Sequence, residues 1–208
     1  MPRKYEQQLR AETAEETRRR ILDAVADRLR EAPTEPLSLD QVAKLARVAR
    51  STIYLIFGSR AGLFDAFATD LLARTGQADL AQAASDPDAR TYLRKGVAAA
   101  CRMYARDLPI YRVLFAMNRI DPASVGGTIE KMERRRARGM TDLAQKLAED
   151  SVLREDVSVA QAVEILWVLC SFETFDLLHT DRRTSIEETV RIIVWMAEQS
   201  LCKPELPA

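Results

Sequence analysis

The sequence predicts an all-α protein, and three observations carry that prediction. Glycine and proline are sparse, 7 and 8 among 208 residues, whereas Ala, Leu, Arg and Glu are abundant; a sheet would ask for more glycine-rich turns and β-branched runs. Apolar residues recur at helical spacing, as in Ile21, Leu22, Val25, Ala26 and Leu29. Pairs spaced as capping boxes precede such stripes: Thr13 with Glu16, Ser38 with Gln41, and Ser185 with Glu188. Apolar residues at 47% and charged residues at 30% are the balance of a globular chain, and the length suits one or two domains.

Taken in order, the first helix is expected to open at Thr13 and carry the Ile21 to Leu29 stripe, with Arg18, Arg19 and Arg20 just before it. A proline-bounded loop follows over residues 32–36. Ser38 opens a short helix bearing Leu39, Val42, Leu45 and Ala46. The turn Arg47-Val48-Ala49 leads to a third helix from Arg50 to Phe57. Gly58 stops it, and Ser59 is placed to cap a fourth helix running to Thr75. Two short helices joined by a tight turn and braced by a longer one make a helix-turn-helix. Beyond Gly76 the pattern changes to longer helices over residues 89–107, 109–117, 128–150, 159–179 and 185–201, with a break at Asp121-Pro122 and Gly126-Gly127. The expected division is a head over residues 13–60, a connecting helix over 61–76 and a body over 77–208.

Several function classes are excluded. The longest apolar candidate, residues 160–178, is interrupted by Glu164, Glu173 and Asp176, so no membrane span is expected. The basic start is followed by Glu6, Gln7 and Gln8 rather than an apolar signal core, and a cytoplasmic, nucleoid-associated location is the default expectation. Cys101, Cys170 and Cys202 are odd in number and widely spaced, and His179 is the only histidine. No disulfide framework, metal site or cofactor is therefore expected. No Ser/His/Asp set, paired-acid motif or phosphate loop supports an enzyme.

Net charge is zero, but it is unevenly spread: through residue 60, twelve cations stand against nine anions. A mildly basic head on a mildly acidic body suits a chain that meets nucleic acid at one end. Arg134, Arg135, Arg136 and Arg138 form a second basic run, which Glu130 and Glu133 turn into an ordinary solvated helix face.

The informative stretch is Leu45 to Phe64. Val48, Ile53 and Phe57 fall where a recognition helix anchors to its braces, and the other face carries Arg50, Ser51, Thr52 and Tyr54. Arginine can give two bonds to a guanine edge, the threonine methyl can meet a thymine methyl, and the tyrosine hydroxyl can reach a phosphate. Arg60, opening the next helix, can pair with the backbone where the helix dipole adds to the attraction.

This segment and the helix before it resemble the tetracycline-repressor (TetR) family from about Thr17 to Leu72. The resemblance is carried by Arg20 to Ala24, by Leu39 to Ala46, and by the Thr52-Ile-Tyr-x-x-Phe57-Gly-Ser-Arg60 core. It implies that Arg50, Ser51, Thr52 and Tyr54 face the groove and that Ser38 and Arg60 contact phosphates. It also implies a homodimer on a palindromic duplex operator, more often a repressor released by a small-molecule effector than an activator. Arg47 stands where the family usually has a turn glycine, Ala49 replaces the usual capping Ser or Asp, and Leu55 and Ile56 are more apolar than the family's residues there.

The body reads mainly from its own residues. The helix over 159–179 has apolar residues on more than one face, which suits packing against its own domain and against a partner; in TetR-like proteins the corresponding helices form a dimeric four-helix bundle. Met103, Tyr104, Tyr111, Phe115, Met117, Met140, Trp167 and Phe172 either line an effector cavity or simply fill a helical core. The alternative to effector control is a DNA-binding or interaction protein with a closed core.

Overall fold

In the computed structural model, residues 2–33, 35, 37–125 and 127–204 are described, with side chains from residue 12 onward except that of residue 124. Thr34 and Pro36 of the expected proline-bounded loop, and Gly126 of the expected break, lie outside the described residues. Eleven α-helices are described: α1 (Pro2–Glu31), α2 (Leu39–Ala46), α3 (Arg50–Phe57), α4 (Arg60–Thr75), α5 (Gln77–Ala84), α6 (Ala89–Arg106), α7 (Leu108–Ile120), α8 (Thr128–Glu149), α9 (Val159–Leu169), α10 (Phe172–Asp176) and α11 (Ile186–Leu201). A 3-10 turn spans Pro122–Val125, and a π-helical turn spans Leu177–Asp181. Among the described residues there is no strand, only an isolated bridge between Leu153 and Cys202. The chain is all-α.

It divides into two compact units, residues 1–71 with 109–129, and residues 72–108 with 130–208. Residues 109–129, assigned above to the body, thus fall in the first unit.

In the first unit, α1 begins at Pro2 rather than at Thr13. Proline is pre-organised for a first helical turn, and no later glycine or proline interrupts the run up to Glu31. Thr13 therefore lies mid-helix, where its carbonyl accepts from Thr17 Oγ1 at 2.8 Å. The expected stripe is buried as a unit: Ile21, Leu22, Val25, Ala26 and Leu29 are each at most 4% exposed. α2 packs against α1 with Leu39, Val42, Ala43 and Ala46 buried, and α3 packs against α2 with Ile53 buried. Residues Leu63, Phe64 and Phe67 of α4 and Ile110, Tyr111 and Leu114 of α7 are fully buried in the same unit.

One cation sits inside this core. Arg28 is 6% exposed, and its guanidinium donates to Gln41 Oε1 at 3.1 Å, to the Ala32 carbonyl at 3.2 Å and to Glu35. A buried charge demands such acceptors. That demand explains why the expected Ser38–Gln41 capping box is not made: Ser38 is the N-cap residue of α2 but makes no side-chain cap hydrogen bond, and Gln41 serves Arg28 instead.

The second unit is organised by caps. Asp88 accepts from Thr91 N at 2.7 Å to open α6, and Ser158 with Gln161 forms a full capping box at α9. Ser185 accepts from Glu188 N at 3.1 Å to open α11, as its spacing predicts. The helix expected over residues 159–179 is broken, however. It stops at Leu169, and Ser171, in extended conformation, caps α10 by accepting from Thr174 N at 3.1 Å. Thr174 Oγ1 also donates to the Val168 carbonyl at 2.6 Å, taking over an acceptor that a continuous helix would use. Behind the break, Tyr104 meets Phe172 edge-on at 5.4 Å and Phe175 at 5.7 Å, and Phe175 stacks on His179 at 5.1 Å.

Candidate nucleic-acid interface

α2 and α3 are joined by three residues, Arg47 to Ala49, and this turn sets what α3 presents. Arg47 adopts φ 54°, ψ 46°, left-handed, so that its amide closes back on the Lys44 carbonyl at 3.2 Å and ends α2. A side chain in that conformation costs about 1–2 kcal/mol, a cost that glycine avoids. Arg47→Gly is therefore expected to raise stability by up to about 1 kcal/mol, readable as a higher urea midpoint at unchanged slope; an unchanged or lower midpoint would show that the turn is unstrained.

α3 is anchored by Ile53, 1% exposed, while Val48 and Phe57 are half-buried. The Arg18 guanidinium of α1 lies over the Phe57 ring at 5.3 Å, and its Nη1 is buried without a hydrogen-bond partner. The aromatic face thus replaces part of the lost solvation. Arg50, Ser51 and Tyr54 are exposed and Thr52 half-exposed, so the four residues share the open side of the helix with Leu55, which is 86% exposed.

Two of these side chains are pre-arranged. Arg50 Nη1 donates to both oxygens of Asp40 at 3.2 Å, and Nη2 donates to Tyr54 Oη at 3.4 Å. The bond to Tyr54 and the Asp40 charge raise the Arg50 pKa above its ordinary value, so it is a permanent cation. Tyr54 Oη accepts from Arg50 and keeps its own hydrogen for a further acceptor. Asp40 was not legible as part of this group, because no helical period relates positions ten apart on two helices; only the turn geometry joins them.

The other expected contacts flank this face. Ser38 opens α2 with its hydroxyl outside any cap bond. Arg60 opens α4, half-buried, with its guanidinium over Phe64 at 5.5 Å and Nη1 donating to the Leu37 carbonyl at 2.9 Å. Gly58, φ 74°, ends α3 and Ser59 caps α4 by accepting from Gly62 N at 2.9 Å, as expected.

Residues 21–67, from the α1 stripe through α3 into α4, match the model of the bacterial regulatory proteins, tetR family. The similarity to that family is confined to this segment. The chain also resembles solved structures along most of its length. NalD, the secondary repressor of the MexAB-OprM multidrug efflux pump in Pseudomonas aeruginosa, shares 20% identity over 92% of this chain and 98% of its own, at a TM-score of 0.70. The transcriptional regulator FadR from Bacillus subtilis, solved with stearoyl-CoA, shares 15% over 87% and 97%, at 0.72. The fatty acid degradation regulator FadR from Bacillus halodurans shares 16% over 88% and 94%, at 0.72. At such identities these likenesses speak for the fold. No curated protein matches the sequence. Residues 21–67 thus resemble the head of bacterial regulatory proteins.

The expected effector residues are scattered. In the second unit, Tyr104 and Phe172 are in contact. Met140 and Trp167 are joined through Arg136, whose guanidinium lies 3.7 Å over the Trp167 ring, donates to the Trp167 carbonyl at 2.8 Å and approaches Met140 Sδ at 3.9 Å. Met103 packs on Gly76, where a Cβ would fall 2.6 Å from the Met103 Cβ. Tyr111 and Phe115 belong to the first unit. The gap beside Tyr104, lined also by Cys101, Cys170 and Phe175, is packed too tightly to admit a water molecule. Burial pushes the Cys101 thiol up to about 12, so it stays protonated at neutral pH. In the basic run, Arg134 pairs with Glu130 at 2.8 Å and Arg136 with Glu133. No helix is long and apolar enough to cross a membrane, and no cluster of His, Cys, Asp or Glu is placed to hold a metal ion, among the described residues.

Proposed function

We propose that the chain is a repressor that binds a palindromic operator as a homodimer and is released from it by a small-molecule effector. The observation that carries the DNA contact is the open face of α3, where Arg50, Ser51, Thr52 and Tyr54 stand together opposite the buried Ile53. Ser38 and Arg60 flank it as phosphate contacts. Two-fold readers place their recognition helices about 34–36 Å apart, one turn of DNA, so a dimer is part of the mechanism. Val168 on α9, Leu177 in the π-turn and Trp195 on α11 support it, at 61%, 55% and 63% exposed. Large apolar side chains so exposed mark an interaction surface.

The effector acts by binding the DNA-incompetent arrangement more tightly, by about 10⁴-fold for a near-complete switch. Met103, Tyr104, Met140, Trp167 and Phe172, all of the second unit, are the residues proposed to meet it. The Bacillus subtilis regulator was solved with stearoyl-CoA, which makes an acyl thioester the first probe to titrate. DNA binding without an effector is the second reading, favoured by the gap beside Tyr104 that admits no water.

Selection from a genomic duplex library at fixed salt tests the proposal. A palindromic site is expected, and Arg50→Ala should weaken it about tenfold to a hundredfold with relaxed base preference. Salt-sensitive but sequence-blind binding would leave only an electrostatic head. Operator affinity unmoved by saturating effector candidates would favour the second reading.

A further inference from the structure

We propose that Asp40 is a positioning residue for base readout: its carboxylate holds the Arg50 guanidinium so that α3 selects one guanine in each half-site. The inference rests on the reading of α3 as the helix that enters the groove. Asp40 is the second residue of α2 and Arg50 the first of α3, and the Arg47 turn brings them together. Nη1 meets both Asp40 oxygens at 3.2 Å, Nη2 meets Tyr54 Oη at 3.4 Å, and the guanidinium lies 5.8 Å from the centre of the Tyr54 ring. The planar fork is thereby fixed on two sides.

Arginine has five N–H donors and guanine offers two acceptors, O6 and N7, side by side in the major groove. With Nη1 engaged by Asp40 and one hydrogen of Nη2 by Tyr54, Nε–H and the second Nη2 hydrogen remain as donors for the guanine edge. An arginine free to swing can satisfy phosphates, guanine or water alike; one held in place discriminates, because a wrong base leaves its fixed donors unpaired.

Stability does not account for the pair. Its side chains are 53% and 69% exposed, and ion pairs of that kind contribute little to folding. A carboxylate on the DNA-facing side also works against a binding reaction driven by neutralising phosphates. Its gain therefore lies in specificity.

The test compares the wild-type chain, Arg50→Ala, Asp40→Asn and Asp40→Glu on a randomised duplex library, with binding constants at several salt concentrations and a thermal melt of each. Wild type should prefer guanine at one position per half-site, and Arg50→Ala should erase that preference. Asp40→Asn should melt like wild type and bind non-cognate duplex as well or better. Its preference for guanine should nevertheless fall about five- to tenfold at the Arg50 position and at no other, and Asp40→Glu should restore part of it. In the Arg50→Ala background, Asp40→Asn should change base preference no further. An unchanged guanine preference in Asp40→Asn overturns the inference alone. So does a change at a different base pair, which would make Asp40 a direct reader, or an equal loss on all sequences. A wild-type chain that selects no sequence overturns the reading of α3 as well.

Discussion

Phe175→Ala is expected to destabilise the protein by about 4 kcal/mol, the range for truncating a fully buried aromatic residue. Phe175 is 1% exposed and stands between Tyr104 and the His179 ring. It also lines the tightly packed gap beside Cys101 and Cys170, which admits no water. Truncation would open a cavity at that junction and forfeit the ring's contacts on every side. His179 would lose its stacking surface while keeping the bond from Nδ1 to the Thr184 carbonyl at 2.8 Å, which ties the π-turn to the approach of α11. Urea unfolding of Phe175→Ala beside Phe175→Leu checks this. The leucine variant should lose less than half as much, and near-equal stability of Phe175→Ala and wild type would refute the packing account.

The same region shows what the sequence could and could not disclose. The bounds of α2, α6 and α8 were legible within a few residues, whereas α1 starts eleven residues before the Thr13 signal that was expected to open it. Local caps were legible where no rival claimed the atoms, as at Ser59 and Ser185. Ser38 shows the limit: its partner Gln41 was drawn away by the buried Arg28, thirteen residues earlier. The break after Leu169 was hidden because the apolar pattern runs through it, and Ser171 and Thr174 act by bonding to backbone groups rather than by changing hydropathy. α5 escaped notice for a related reason. It buries only Ala83, and its hold on α6 comes from polar atoms: Arg106 reaches Asp79 at 2.8 Å and the Thr75 carbonyl.

The exposed face of α3 was legible residue by residue, but its electrostatics were not. Arg50, Ser51, Thr52 and Tyr54 follow from a motif within one helix. Asp40 enters only when the turn is folded, and Arg47 could be read as strained only on the assumption of a left-handed turn, which φ 54° supplies. Leu55, 86% exposed, was visible as a departure from the family pattern; its exposure was not.

Gly62→Ala is the substitution expected to separate the fold of the head from its chemistry. A Cβ at Gly62 would fall 2.1 Å from the Phe57 carbonyl oxygen and 3.2 Å from its carbon, and the obstacle is backbone, which cannot rotate aside. Either the first turn of α4 or the end of α3 must move, at a cost of about 3 kcal/mol, the upper range for overpacking. Both ends matter to the interface. Moving α4 disturbs the Arg60 bond to the Leu37 carbonyl and the Ser59 cap; moving α3 tilts the face that carries Arg50 and Tyr54. Gly62→Ala should thus lower the melting temperature and weaken operator binding together, although Gly62 offers no side chain to DNA. Gly139→Ala in α8 is the matched control: a Cβ there meets nothing within 4 Å, and the loss of chain entropy in the unfolded state should stabilise by about 0.5–1 kcal/mol. Wild-type stability in Gly62→Ala would mean that α4 can start elsewhere. Lost operator binding at wild-type stability would instead make this glycine a direct point of approach to the duplex.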